Sequence, residues 1–385
     1  HTNFGGYSRP VTPNLAAWAK GATVFESAFS VSSSTRLTFP ALVAGQFNAT
    51  VPMVNGPRHP YRYQDSVTTL AKVLAKRGYD TVHVIGDDYF DTGRWGGYWG
   101  GFKKVDHKAY EKAKDPEHTS PEITAVAIEE VKAKRKKPLF LWVHYYDVHG
   151  PYRRPAEVEA FGSESVDRYD SELVFLDRQI GLLLKEVAVK WPREERVVAL
   201  TADHGEAFDR KHPRKHHDFT LDHTVLHIPF VIDAPWPAGS GKREKGLASQ
   251  LDLVPTLANL AGAKPQKEWG GESLVPVLAE AEAKPEKKVL YSLFYIPEDR
   301  KKNKDPFRMV GVRTDDHYFV VDYRRNRRHL SQWRQDPLAD HDLSASEPNA
   351  ATVLSYLAAL KLEWFREKEE ALYRRPAPRK PARKK

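Results

Sequence analysis

Apolar residues recur at helical spacing in SVTTLAKVLAKRGYDTVHVIGDD, at Leu70, Val73 and Leu74. This run predicts a helix that stops at Gly78 and feeds an alternating strand from Thr81 to Ile85. The order returns twice. PEITAVAIEEVKAKRKK predicts a helix running into the apolar strand Pro138 to Val143, and SELVFLDRQIGLLLKEVAVK one running into Arg196 to Thr201. Helices alternating with short, nearly all-apolar strands predict an α/β fold with a mostly parallel sheet sandwiched by helices. Further on, IPFVIDAP predicts another buried strand, LDLVPTLANLAG a helix and VLYSLFYI a strand. FRMVGVRTDDHYFVVDY then predicts an antiparallel hairpin turning near Thr314 to Asp316. The lysine-rich AEAKPEKK, Ala281 to Lys288, marks a boundary between an α/β domain over residues 1–280 and a smaller C-terminal α+β part over 289–370. No internal repeat is present.

Composition adds constraints to this outline. With 385 residues, 41% of them apolar and 11% aromatic, the chain can build a sizeable core. No run approaches the ~18 consecutive apolar residues of a membrane helix. The chain contains no cysteine, so any metal must be held by Asp, Glu, His or hydroxyl oxygen. A formal charge of +9 favours anionic partners, either an anionic membrane surface or phosphorylated and sulfated substrates. Part of that charge sits in RRPAPRKPARKK, Arg374 to Lys385, which reads as a disordered basic tail. Without a zinc-finger or RRM signature, a solvated tail is a better account of it than nucleic-acid binding.

Ligands of open α/β sheets bind beyond the carboxyl ends of the strands, so the residues following each apolar run carry the candidate chemistry. FLWV is followed by HYYDVHGPYRRP, with His144, Asp147 and His149. VVAL is followed by TADHGE, with Asp203, His204 and Glu206, and KHHDFTLDH supplies His216, His217, Asp218, Asp222 and His223. Each cluster alone could be a capped turn or a solvated loop. Together on one rim, carboxylates and imidazoles are what a divalent cation requires, and a cation could activate a hydroxyl that is otherwise a poor nucleophile. SSSTRLTFPAL, Ser32 to Leu42, offers five such hydroxyls around one arginine. The competing reading of that stretch is a hydroxyl-rich loop with an ordinary helix cap, Thr38 being the best candidate.

Taken in order, YSRPVTPNLAAWAKGATVFESAFS, TRLTFPALVAGQF, LAKVLAKRGYDTVHV, HYYDVHGPY, TADHGE and HDFTLDHTVLHIPFVI resemble the sulfatase-like branch of the alkaline phosphatase superfamily. SQLDLVPTLANLAG, GGESLVPVL and HDLSASEPN are similar to its C-terminal pieces, so the resemblance covers nearly the whole chain. It implies a metal-dependent hydrolase or transferase of sulfate or phosphate esters that works through a covalent intermediate. Formylglycine-type sulfatases would place the nucleophile at Ser32 with Arg36 as the arginine, but Ser34 stands where that motif wants Pro or Ala. The phosphoethanolamine and phosphoglycerol transferases use a threonine, and Thr35, Arg36, Leu37, Thr38, Phe39 and Pro40 match them without a gap. The resemblance therefore implies Thr35 as nucleophile, at the start of a helix beginning near Pro40 or slightly before. It implies Asp203, His204 and Thr35 as ligands of zinc, manganese or calcium, and His149, His217 and Arg36 as contacts to the substrate, with His217 also placed to meet a second metal. Glu206 is expected to be a supporting residue, and His216, His223 and His227 satisfied surface or core histidines.

The family pattern also has an apolar first strand ending in an acidic metal ligand ahead of the region matching HTNFGGYSRP, and this sequence opens at His1. The expectation is a fragment of a longer, periplasmic or otherwise extracytoplasmic protein, membrane-anchored through upstream segments. The substrate would be a small-molecule, lipid or polysaccharide ester. The alternative function is a catalytically inactive domain that binds an anionic headgroup or polysaccharide; retention of Thr35 beside the histidines favours the enzyme.

Overall fold

Seven strands built from the apolar runs form the centre of the molecule, in a computed structural model that describes residues 1–53, 63–86, 99–107, 111, 118–208, 217–236, 241–286, 288–297, 299 and 304–373. The basic tail from Arg374 and the side chain of His216 lie outside the described residues. The described helices are α1 (Pro13–Ala19), α2 (Thr35–Ala44), α3 (Leu70–Lys76), α4 (Ser120–Lys132), α5 (Ser165–Lys190), α6 (His223–Leu226), α7 (Leu253–Leu260), α8 (Val275–Ala279) and α9 (Pro348–Tyr373). The strands are β1 (Thr23–Phe29), β2 (Asp80–Val84), β3 (Lys104–Asp106), β4 (Leu139–Val143), β5 (Val198–Thr201), β6 (Phe230–Asp233), β7 (Arg243–Ser249), β8 (Leu290–Tyr295), β9 (Phe307–Arg313), β10 (Tyr318–Asp322) and β11 (Arg327–Ser331). Among the described residues no helix is long and apolar enough to cross a membrane.

The three helix-into-strand units appear as α3–β2, α4–β4 and α5–β5. Gly78 ends the first as its sequence suggests: its φ of +92° is a backbone conformation that residues with a side chain rarely adopt. Strands β3, β2 and β4 pair in that order, all parallel. A second group runs β5, β6, β1, β7, with β1 parallel to β7 and β6 antiparallel to both β5 and β1. The sheet is therefore mostly parallel with one reversed strand, IPFVIDAP, whose apolar run reads the same in either direction. The predicted hairpin is β9–β10, which joins β8 and β11 in an antiparallel sheet.

That antiparallel sheet shares a core with the first part of the chain: Phe29, Leu37, Ala41 and Phe47 pack in one cluster with Leu293, Val310, Phe319 and, from α9, Phe365. Leu293 also donates its N–H to the Val31 carbonyl at 2.8 Å, fixing the segment that leads into α2. The carboxyl ends of β1, β4 and β5 meet there. Phe39 of α2 packs on Trp142 of β4 and on His144 just beyond it, with ring centroids 6.2 and 5.9 Å apart.

Candidate functional site

Helix α2 begins at Thr35, five residues earlier than Pro40. Proline lacks the N–H that would reach the Arg36 carbonyl four residues back, and its ring disfavours an interior position. The side chain of Asn48 supplies the missing donor, its Nδ2 bonding the Arg36 carbonyl at 2.9 Å, so the helix continues through Pro40. Ser34 is the N-cap, with no side-chain capping bond, and Thr38 instead donates its hydroxyl to the Thr35 carbonyl at 3.1 Å. An uncapped helix N-terminus directs N–H groups and partial positive charge at whatever binds beside Thr35, which suits an anion. Arg36 stands in the same first turn.

The hydroxyls of SSST differ sharply in access. Ser32, Ser33 and Ser34 are 1%, 0% and 2% exposed, and the Ser32 and Ser33 hydroxyls find no hydrogen-bond partner among the described residues. Thr35 is only partly buried. Its Oγ1 lies 3.2 Å from His204 Nε2, and its hydroxyl also bonds the Asp203 carboxylate. Asp203 Oδ2 is in turn 3.4 Å from His204 Nε2. Three donor atoms, two oxygens and one nitrogen, therefore converge on one point.

The backbone around this trio is held firmly. The Asp203 carbonyl accepts from Ser30 Oγ at 2.6 Å and from Gln250 Nε2 at 2.7 Å. His204 Nδ1 bonds the Gly205 carbonyl at 2.9 Å. A carbonyl can only accept, so Nδ1 carries a proton, and Nε2 is the ring nitrogen that faces Thr35 and Asp203. Gly205 is required because a Cβ there would meet the Thr224 carbonyl oxygen at 2.5 Å. Burial pushes the Asp203 carboxyl up, but the His204 ring, the Thr35 hydrogen bond and His144 outweigh it and hold the group below the usual carboxylate range. A carboxylate oxygen, a hydroxyl and an imidazole nitrogen in contact are a suitable donor set for a divalent cation.

Two further histidines complete the group. The His217 ring lies 4.7 Å from that of His204 and 5.4 Å from that of His149, centroid to centroid. The loop bearing His217 is tied to the nucleophile segment, because Asp218, in the left-handed conformation at φ +69°, donates its N–H to the Ser33 carbonyl at 3.0 Å. His149 stacks on Tyr146 with centroids 4.4 Å apart and bonds the Gly150 carbonyl through Nδ1 at 2.9 Å. Burial moves its pKa down, with His217 adding to the effect. His217 shifts the other way. Burial lowers it, but the hydrogen bond to Glu206 and the charges of Glu206, Asp218 and Asp203 raise it beyond that loss.

Thr35, Asp203, His204, His149 and His217 are thus brought together, although the sequence separates them by up to 182 positions (217 − 35). The other candidates serve the framework. Asp147 caps α4, accepting from the N–H groups of Thr119 at 2.8 Å and Ser120 at 3.0 Å. His223 is buried against Arg313, whose guanidinium lies 3.3 Å from its Nδ1, and His227 bonds the Glu26 carbonyl at 2.8 Å. Tyr146, and the tight pairing of Glu206 with His217, have no signal in spacing or composition.

A family profile described as Sulfatase matches residues 1–263, and one described as N-sulphoglucosamine sulphohydrolase, C-terminal, matches residues 216–366. No curated protein matches the chain. Among solved structures, a putative sulfatase from Bacteroides thetaiotaomicron is similar at 18% identity and a TM-score of 0.75, covering 94% of this chain and 89% of its own. A protein solved with its substrate D-glucosamine-2-N,6-O-disulfate is similar at 15% identity and 0.71, covering 92% and 93%. The phosphonate monoester hydrolase of Agrobacterium radiobacter gives 17% and 0.71, covering 93% and 91%. At these identities the likeness carries the fold.

Proposed function

Because this chain belongs to the sulfatase family, we propose that it cleaves sulfate or phosphate esters with the Thr35 hydroxyl as nucleophile. Membership carries the reaction class, sulfuric-ester hydrolysis, and sulfatases are generally metal-dependent. The observation that carries the finer reading is the position of Thr35 Oγ1, the accessible hydroxyl of SSST, against His204 Nε2 and Asp203.

Asp203, His204 and Thr35 would hold a divalent cation, which would make the hydroxyl easier to deprotonate and offset charge on the transferred group. Thr35 attacks sulfur or phosphorus, passing its proton to the Asp203 carboxylate that its hydroxyl bonds, and becomes esterified as the bond to the substrate's ester oxygen breaks. The N-terminal turn of α2 faces the equatorial oxygens, and Arg36 adds a fixed positive charge in that turn. His217 protonates the leaving oxygen. His149, with Nδ1 committed to Gly150, accepts a proton at Nε2 from the water that later cleaves the ester, or from an acceptor alcohol if the group is transferred. Sugar sulfates, the ligand class of the glucosamine disulfate complex, fit this reading, and phosphate esters are the alternative substrate.

The proposal extends to one more strand. Among the described residues β4 and β5 are each paired on one side only, and every residue in both is partly exposed although nearly all are apolar. Trp142 of β4 and Ala199 of β5 nevertheless pack on the same core cluster. An apolar strand parallel to both, ending in a carboxylate beside Asp203, would cover these edges and add a fourth ligand. Placement outside the cytoplasm and a membrane anchor belong to the same proposal, supported by the resemblance alone.

The test is turnover of p-nitrophenyl sulfate and p-nitrophenyl phosphate with added zinc, manganese or calcium. Metal-dependent turnover that is lost in Thr35→Ala and kept in Ser32→Ala supports the reading. Survival in Thr35→Ala with loss in Ser32→Ala would move the nucleophile to Ser32. No turnover and no bound metal would leave a non-catalytic binding domain.

A further inference from the structure

Glu206 lies two residues beyond His204, yet its carboxylate turns to His217, with Oε1 2.7 Å from Nδ1. The pair is enclosed: the Glu206 side chain is 7% exposed and that of His217 19%. His217 stands on a loop whose other polar neighbour competes for the ring, since Asp218 Oδ2 lies 4.0 Å from Nε2 and its side chain is half exposed. A loop histidine with two carboxylates near opposite nitrogens has two orientations open to it. A buried charge-assisted bond is shorter and about twice as strong as a neutral one, so Glu206 decides between them. The contrast with His149 is informative, because that ring bonds a neutral carbonyl, that of Gly150, through Nδ1 and stacks on Tyr146.

We propose that Glu206 is the positioning residue of His217, holding Nδ1–H so that Nε2 is presented to the leaving oxygen of a substrate bound at Thr35. The inference rests on the function proposed above, in which His217 is the proton donor. Glu206 also belongs, with His204 and His217, to a group whose ligand atoms all lie within 4.8 Å, so a direct role on a cation is the rival assignment. The 2.7 Å bond commits Nδ1 and Oε1 to each other and favours positioning.

Glu206→Gln keeps the shape and removes the charge, and Glu206→Asp keeps the charge on a shorter arm. Both are compared with the unaltered full chain and with His217→Gln. Three readouts are taken: bound metal, turnover of aryl esters of differing leaving-group basicity, and the nitrogen shifts of His217 in protein labelled with ¹⁵N-histidine. Proton donation contributes about 10²-fold where the leaving group is basic. Glu206→Gln should therefore lose about that much on phenyl esters and within about threefold on p-nitrophenyl esters, whose leaving group needs no proton. KM and metal content should stay unchanged, and the variant Glu206→Gln with His217→Gln should be no worse than His217→Gln alone. The His217 nitrogens should shift in Glu206→Gln and return toward their original positions in Glu206→Asp.

Equal loss on both leaving groups, or loss of bound metal, overturns positioning in favour of a structural or ligand role. Unchanged nitrogen shifts overturn it without reference to activity. The nitrogen shifts are read without substrate, so failure of the unaltered protein to turn over any ester would count against the function and leave the Glu206–His217 relation separately decided.

Discussion

Strand β1 is hydrogen-bonded on both sides and only Glu26 of its seven residues escapes burial, whereas β4 and β5 are paired on one side each and none of their residues is fully buried. The site straddles this difference. Thr35 follows β1 through a buried serine segment, while His149 follows β4, and Asp203 and His204 follow β5. The closed half steadies the open half: Ser30 and Gln250 both grip the Asp203 carbonyl, and the Ser33 carbonyl takes the N–H of Asp218 next to His217. Hydrogen bonds reaching out of a packed core can place functional groups on strands that are themselves half covered.

The largest effect should come at the junction of the two halves. Thr35→Ala should lower kcat/KM by about 10⁴-fold or more, as removal of a nucleophile does, while Ser32→Ala, in the buried segment before the helix, should stay within about threefold. Comparable losses in both would show that the serine segment carries chemistry as well as support. The packing contrast is tested by truncation. Phe230→Ala on β6, where Phe230 is 1% exposed, should cost about 3–5 kcal/mol in denaturant unfolding, and Leu200→Ala on β5 about 1–2. Equal costs would mean that β5 is as firmly packed as β6. A smaller effect is expected at Gly205, where the contact at 2.5 Å with the Thr224 carbonyl forces a shift in Gly205→Ala. Destabilisation of about 1–3 kcal/mol should be accompanied by weaker metal binding, since Asp203 and His204 move with that turn.

Legibility followed the same division. The helix-into-strand units are readable because their apolar spacing is local, and the meeting of Thr35, Asp203 and His204 because family-like spacing and strand ends mark them. The direction of β6 was not readable: a strand buried on every residue shows no alternation to orient it. The sequence places the start of α2 too late because Pro40 is normally a helix-opening residue, and the donor that lets it sit in the sixth position comes from Asn48, beyond the end of the helix. Glu206 reads in the sequence as a supporting residue, and its bond to His217, eleven positions away, carries no signal in spacing.

The smallest predicted effect addresses the open half itself. It is tested by joining an apolar strand of about five residues, ending in aspartate, directly ahead of His1. His1 is held on α5 by a 2.7 Å bond to Asp170 and packs near Phe208, which follows β5. Such a strand should lower the exposure of Leu141, Trp142 and Leu200 and bring a carboxylate to the carboxyl ends of β4 and β5. Metal affinity should rise about tenfold, with an aspartate-to-asparagine version keeping the gain in unfolding midpoint and losing the gain in affinity. If neither changes, the half-exposed strands are covered in some other way, and Thr35, Asp203 and His204 hold the cation without a fourth protein ligand.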